Sequence, residues 1–318
     1  MRLSIVSTLY RSAPHLREFH ARATAAARAF AGADYEIVLV NDGSPDDSLA
    51  LALGLQANDP HLRVIDLSKN FGHHQAMWVG LSHAAGDDVF LIDCDLEESP
   101  EWLELFAEQR RAQDADVAFG VQDGRAGGAL SRAGGWLFYK VFNALCDDPI
   151  PINLMTVRLM SRPYVDALLQ HHEVTFAIAG LWARTGFKQT AVTVVKKARR
   201  RPSYNLMRRL HMFVHAVTSF SNKPLVFSFY VGAALLALSA AVAVFLVAYE
   251  LLVGGLMAGW PSLMVSVYAI GGLILFFQGV QGVYLSKIYL ETKRRPVAIV
   301  RQEYAAEARR EQHARPAA

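Results

Sequence analysis

The stretch VFLIDCDLEESPEW, residues 89–102, runs four apolar residues straight into Asp93, Asp95, Glu97 and Glu98. Carboxylates this close repel one another, which raises their pKa values unless a cation compensates. An all-oxygen set with no histidine or thiolate suits Mg2+ or Mn2+, ions that commonly bridge to phosphate oxygens. A competing reading makes the acids the polar start of a helix over SPEWLELFAEQ, where negative charge suits the helix dipole. That reading accounts for Glu98 and Glu101 but not for Asp93 and Asp95, which precede the helix. The pattern therefore points to metal binding by Asp93 and Asp95, with both carboxylates projecting past the end of a strand.

The elements that position these acids are legible upstream. LSIVSTLY, YEIVLVND, LRVIDLS and DDVFLIDCD read as strands, separated by the helical stretches HLREFHARATAAARAFA, SPDDSLALALGLQA and HQAMWVGLSHAA. Strands joined by crossover helices imply an α/β, doubly wound parallel sheet. Ligands of such sheets bind outside the carboxyl ends of the strands. Those ends carry Thr8 and Tyr10, then Asn41, Asp42, Gly43 and Ser44, then Lys69, Asn70, Phe71 and Gly72, and finally Asp93 and Asp95. Neither a G-x-G-x-x-G after the first strand nor a G-x-x-x-x-G-K-[ST] is present, so any nucleotide is held in another way. Asp-Gly-Ser at 42–44 reads equally as a turn leading to a helix N-cap by Ser44 or Asp46. The adjacent His73 and His74 point different ways on a helix and read as its polar start near the ligand, not as a metal pair.

The chain has 318 residues, 53% hydrophobic and 19% charged, which is apolar-rich for a soluble protein. Between residues 225 and 286 the only charged residue is Glu250. Residues 225–249 and 262–286 are each long enough to cross a bilayer. Lys196, Lys197, Arg199, Arg200, Arg201, Arg208, Arg209 and Lys223 precede the first stretch, and Lys287, Lys293, Arg294 and Arg295 follow the second. The positive-inside rule then puts both termini in the cytoplasm. The expected organisation is a cytoplasmic domain over 1–205, a juxtamembrane amphipathic segment over 206–224, the two spans, and a cytoplasmic tail over 287–318, all at the inner membrane. A net charge of +3 is too small to imply a nucleic-acid partner. The two cysteines, Cys94 and Cys146, are too few for a disulfide framework and fit a reducing compartment. MRLSIVSTLYRS lacks a small-residue cleavage site and reads as a first strand, not a signal peptide.

The ordered set IVLVNDGSPDDS, SKNFGHHQAMWVGLSHAAGDDVFLIDCDLEESPE, RLMSR, IAGLWARTGFKQ, SFSNKPL and GVYLSKIYLETKRRP resembles the family 2 glycosyltransferases. The likeness is to their polyprenyl-phosphate branch, which includes dolichol-phosphate mannose synthase and bactoprenol glucosyltransferase, and it covers nearly the whole chain. It implies a nucleotide-binding α/β domain of the glycosyltransferase A type. It also implies a nucleotide-sugar donor, with uridine diphosphate as the habitual nucleotide, and a polyprenyl phosphate such as undecaprenyl phosphate as acceptor. By resemblance, Asp42 lies against the base, with Thr8 and Tyr10 in the same pocket. Asp93 and Asp95 match the D-x-D that binds metal and donor diphosphate, and Glu97 stands where relatives have a metal-side Gln. Arg125 and Arg132 fall where relatives place bases near the donor phosphates, and Arg201, Ser203 and Tyr204 are expected at the acceptor phosphate. Relatives also suggest a homo-oligomer, a tetramer.

Three departures stand out. Relatives begin P-x-Y-N-E, where this chain has Thr8, Leu9, Tyr10, Arg11 and Ser12; the acid before the RLM-type segment is replaced by Thr156; and Gln is replaced by Glu97. Loss of an acid at 156 does not remove a needed base. A phosphate monoester has a second pKa of about 6, so the acceptor is already ionised near neutrality and needs positioning more than deprotonation. The expected reaction is direct displacement with inversion at the anomeric carbon. The basic run KKARRRPSY serves as topogenic charge on anionic lipid, as capture of the lipid phosphate, or as both. A processive polysaccharide synthase would need more spans and Q-x-x-R-W, and neither is present. A non-catalytic scaffold has only Thr156 and the altered first motif in its favour.

Overall fold

The computed structural model describes residues 2–122, 153–171, 173, 178–196, 218, 221–252 and 259–305. The chain divides into two compact units, the first comprising Met1–Tyr139, Asp148–Ser203 and Arg295–Ala318, the second Lys140–Asp147 and Tyr204–Arg294.

The first unit is built on one eight-stranded sheet. Its strands are β1 (Leu3–Leu9), β2 (Tyr35–Asn41), β3 (Leu62–Leu67), β4 (Asp88–Leu91), β5 (Val117–Gln122), β6 (Leu154–Ser161), β7 (Gln189–Val194) and β8 (Val300–Tyr304), in the order β7-β5-β6-β4-β1-β2-β3-β8. β1 to β4 run parallel, as expected from their crossover helices. β6 is antiparallel to β4 and β5, and β8 is antiparallel to β3. The sheet is thus mostly parallel, with antiparallel insertions that the first four strands do not announce.

β1, β2 and β3 are buried along their whole length, as strands covered by helices on both faces must be. Alternation divides their side chains between two cores. Leu3, Ile5 and Leu9 meet Leu16, Phe19 and Ala23 of α1 (Ala13–Ala31), whose buried positions recur every three to four residues, the mark of a helix with one apolar face. Val6, Val38, Val40 and Ile65 meet Met77 and Leu81 of α3 (His73–His83) on the other face. α2 (Ser48–Gln56) starts later than its sequence suggests, because Asp46 stays outside it and accepts the N–H groups of both Ala13 and Ser48 at 3.2 Å. α4 (Trp102–Ala112), α5 (Arg162–Leu169) and α6 (Ile178–Arg184) complete the layers.

Three expectations are corrected. β4 ends at Leu91, so Asp93 and Asp95 lie on a loop of residues 92–101 and not on the strand itself. Glu98 is not part of the helix: α4 begins at Trp102, and Glu98 is fully buried behind the loop. The segment expected as a tail after residue 287 also returns to the sheet, where Val300–Tyr304 forms the edge strand β8.

The second unit holds α7 (Lys223–Leu252) and α8 (Trp260–Thr292), of 30 and 33 residues. The Tyr284 hydroxyl of α8 donates to the Ser221 carbonyl just before α7, at 2.6 Å, which ties the start of one helix to the later part of the other. Phe227, Phe229, Val244, Leu275 and Phe276 are exposed on their surfaces. Among the described residues, Ile270–Thr292 is long and apolar enough to cross a membrane.

Candidate active site

The carboxyl ends of β1, β2 and β3 meet around one cavity of about 110 Å³, lined by Thr8, Tyr10, Asp42, Asn70, Gly72 and His73. That is several times the space a single water occupies. Thr8 sits on the α3 side of β1, and its hydroxyl lies 3.0 Å from Nδ1 of His73. Tyr10, one residue past the strand, is half exposed at the mouth. Asp42 follows β2 and is buried, accepting the N–H groups of Phe71 at 2.7 Å and Gly72 at 3.1 Å. Its carboxylate therefore fixes the loop between β3 and α3, and that loop forms the opposite wall. Gly43 has a φ of +57°, and a Cβ there would lie 2.4 Å from Asn70 N, so only glycine allows the two loops to close on each other. Ser44 and Asp46 are scaffold: Ser44 accepts the Arg11 N–H at 2.7 Å, and Asp46, bonded to Ser44, Ser48 and two backbone N–H groups, is held down at about 2 against the desolvation that opposes it. The Asp-Gly-Ser motif is thus both a turn and the frame of the cavity.

The acid loop adjoins this cavity through His73. Its Nε2 lies 3.3 Å from Asp93 Oδ1, so Thr8, His73 and Asp93 form a continuous polar chain from β1 to the loop. Burial pushes the Asp93 carboxyl up, but the hydrogen bond and charge of His73, the Lys196 ammonium and the Thr156 hydroxyl together hold it below its ordinary value. Thr156, on β6, is thus among the groups that lower the Asp93 pKa, at the position where the resemblance led to an acid. Asp95 accepts the Glu97 N–H at 3.0 Å, while burial and the nearby charges of Asp93 and Glu97 raise its pKa. Leu96, between them, adopts a φ of +60°, a left-handed turn that folds the loop on itself.

Behind the loop lies a buried charge cluster. Glu98 Oε2 accepts the Asp93 N–H at 3.3 Å. Lys196, just after β7, places Nζ 3.1 Å from Glu97 Oε2 and 3.9 Å from Glu98 Oε1. Burial, with the charge of Asp93, pushes the Glu98 carboxyl up to about 8. Arg158 of β6 is wholly buried with its guanidinium over the Trp182 ring, and desolvation brings it down to about 9.

Of the residues expected at the nucleotide, Thr8, Tyr10 and Asp42 do line one cavity. Asp93, Asp95 and Glu97 share one loop but do not converge: Asp93 turns to His73 and Glu97 to Lys196. Among the described residues no group of three or more Asp, Glu, His or Cys side chains is arranged around a common metal position. Two carboxylates on a loop fit a hard cation of the Mg2+ type, which takes one or two carboxylates and completes its shell with water and substrate phosphates. Arg125, Arg132, Arg201, Ser203 and Tyr204 lie outside the described residues. Sequence reasoning missed the bridging of His73, whose partners are distant in sequence, and the place of Lys196, whose basic run pointed only to lipid.

A mostly parallel α/β sheet with a cavity and an acidic loop beyond the carboxyl ends of its strands has the architecture of the A-type glycosyltransferases. Residues 4–169 match the model of glycosyl transferase family 2, and the chain belongs to that family. It is 48% identical over 307 residues, 96% of this chain and 90% of the relative, to a Mycobacterium tuberculosis protein named as a glycosyltransferase. It is 32% identical over 273 residues, 85% of this chain and 89% of the relative, to the bactoprenol glucosyl transferase of Shigella phage SfV. Among solved structures, it is similar to glucosyl-3-phosphoglycerate synthase from Mycobacterium tuberculosis in complex with Mn2+, uridine diphosphate and glucosyl-3-phosphoglycerate. That likeness is 17% identity over 67% of this chain and 75% of the other, with a TM-score of 0.45.

Proposed function

We propose that this glycosyltransferase moves a hexose-type sugar from a uridine-diphosphate donor to a membrane polyprenyl phosphate, such as undecaprenyl phosphate, with inversion at the anomeric carbon. The observation that carries the proposal is the polar chain from Thr8 through His73 to Asp93. It joins the cavity to the acid loop, as a donor with a base at one end and a diphosphate at the other requires. The bactoprenol glucosyl transferases among the relatives support the choice of acceptor.

In this reading Thr8 and Tyr10 border the nucleoside, and Asp42 holds the Phe71–Gly72 wall against it. Asp93 and Asp95 would hold a Mg2+ or Mn2+ ion, which supplies Lewis-acid stabilisation of the departing diphosphate. His73 orients Asp93, while Lys196 neutralises Glu97 and burial keeps Glu98 protonated, so the loop keeps its shape despite its crowded acids. The acceptor phosphate arrives ionised, with a second pKa of about 6, and a hydroxyl at position 156 is therefore sufficient where a base would be superfluous. Arg125 and Arg132 are assigned to the donor phosphates and Arg201, Ser203 and Tyr204 to the acceptor.

Connectivity supports the membrane part of this proposal. A 30-residue helix is about 45 Å long at 1.5 Å per residue, more than the ~30 Å hydrocarbon core. The pairing of β8 with β3, in the sheet that the chain left before α7, supports an even number of crossings with both flanks of the helical pair in one compartment. The Tyr284–Ser221 bond fits an antiparallel hairpin. Two spans, α7 and α8, with the basic flanks in the cytoplasm, satisfy both this and the positive-inside rule.

The test is release of nucleoside diphosphate by the purified, detergent-solubilised chain with Mn2+ and a panel of uridine-diphosphate hexoses. Release that depends on added polyprenyl phosphate supports the proposal. Release to water alone, or to a growing glycan, or none with any donor, would sink it.

A further inference from the structure

We propose that Arg301, on the strand that follows the last long apolar helix, is a positioning residue for the nucleotide cavity; this rests on the donor-site reading above. One wall of the cavity is the segment from Ser68 to Gly72, which contributes Asn70 and Gly72. Its far end is gripped by Asp42 through the N–H groups of Phe71 and Gly72, and Gly43 packs under its middle. Its near end is Ser68, where β3 has just finished and the sheet no longer holds the backbone.

β8 takes over at that point. The Ser68 N–H donates to the Ile299 carbonyl at 2.9 Å, and Arg301 Nη2 donates to the Ser68 carbonyl at 2.6 Å. Both backbone polar groups of Ser68 are therefore satisfied by the returning segment. Arg301 Nη1 is also 3.3 Å from Oδ2 of the buried Asp66, and Asp66 Oδ1 accepts from Asn41 Nδ2 at 2.7 Å. Asn41 in turn accepts the Ser44 N–H at 3.3 Å, within the other wall. The guanidinium thus closes a bracket that fixes the base of the Ser68–Gly72 wall to the loop after β2. Arg301 is not among the residues that line the cavity, so its effect passes through Ser68 and Asp66. The strand's other anchor is separate: Glu303 accepts from Arg63 Nε at 2.7 Å, and Arg63 donates to the His83 carbonyl at the opposite end of α3.

The separation of the two anchors gives the test. Uridine-diphosphate affinity by calorimetry, KM for the donor, kcat and thermal midpoint are measured on the full chain. Arg301→Ala is expected to weaken nucleotide binding and raise donor KM about fivefold, the worth of roughly one ordinary hydrogen bond, with kcat within about twofold. Arg301→Lys keeps a charged donor for Ser68 and is expected to restore most of the loss; it carries the test if the alanine variant does not fold. Glu303→Gln, which loosens the same strand away from the wall, is expected to lower the thermal midpoint while leaving donor KM unchanged. Unaltered nucleotide binding in Arg301→Ala would overturn the inference, as would equal losses in Arg301→Ala and Glu303→Gln. A wild-type chain that binds no nucleotide would overturn the donor-site reading and this inference together.

Discussion

Replacing Asp42 by Asn tests what the nucleotide cavity is made of. The Asp42 carboxylate is buried and accepts two backbone N–H groups, from Phe71 at 2.7 Å and from Gly72 at 3.1 Å. The amide keeps the shape and one acceptor oxygen, but its NH2 now faces the second N–H. A hydrogen bond to a charged group is worth about 1.5–3 kcal/mol net, and a buried N–H left without an acceptor costs about 1–3 kcal/mol. A loss of about 2 kcal/mol corresponds to a fall of about 4–8 °C in thermal midpoint for a domain of this size. The same loosening of the wall should weaken uridine-diphosphate binding by up to about 30-fold, since each 1.4 kcal/mol is about tenfold. Thermal unfolding with and without nucleotide, paired with calorimetry, reads both effects on one sample. Weaker binding at an unchanged midpoint would mean that the carboxylate acts on the ligand directly and does not hold the loop. Unchanged binding and midpoint would refute the reasoning altogether.

Other outcomes follow from the same geometry. Gly43→Ala combines a φ of +57° with a Cβ 2.4 Å from Asn70 N; it should cost about 2 kcal/mol or more, and a variant with a wild-type midpoint and wild-type nucleotide affinity would contradict the close packing. Burial raises the Glu98 carboxyl from 4.5 to about 8, so the folded chain keeps a proton there that the unfolded chain releases. Its contribution to stability is therefore greatest below about pH 4.5 and falls as pH rises to about 8, and Glu98→Gln should flatten the midpoint-versus-pH curve across that window; an unchanged slope would argue against a buried neutral acid. Removing the cation by Lys196→Met should destabilise by about 3 kcal/mol, and by clearly less in the Glu97→Gln background, because the largely buried Glu97 carboxylate left without its partner at 3.1 Å carries most of that cost; strictly additive losses would show that the pair does not interact. Cysteines introduced near residue 255 and near residue 310 should be labelled from opposite faces of sealed vesicles, and labelling from one face would refute the two-span hairpin.

How much of this was legible depends on whether the signal was local. The four parallel strands were, because each is a short apolar run between amphipathic helices and both features are read within a dozen residues. The position of Asp93 was less so: VFLI continues without a break, yet the strand stops at Leu91, since β4 pairs with β6 only from Asp88 to Leu91 and no local residue marks that limit. β8 was not legible. VRQEY carries three polar or charged residues on an exposed edge, and its meaning lies in Arg63 and Asp66, more than two hundred residues away. Glu98 was read as a helix start because acids favour first turns, a rule that knows nothing of burial. His73 was placed near the ligand but not in its role, because its partners Thr8 and Asp93 belong to other strands' ends. The residues that touch the cavity were found by type and position; those that hold them in place required the fold.

The central claim is that the Asp42 cavity and the Asp93–Asp95 loop form one donor site serving a lipid phosphate. Its most direct test is the product itself, isolated from purified chain, undecaprenyl phosphate, Mn2+ and a uridine-diphosphate hexose, and examined by mass spectrometry and by NMR at the anomeric carbon. The expected product is a sugar joined to the lipid through a single phosphate, with inverted configuration, absent with Asp93→Asn/Asp95→Asn although that variant still binds the nucleoside. A retained configuration, a diphosphate linkage, or undiminished product from the double variant would contradict it.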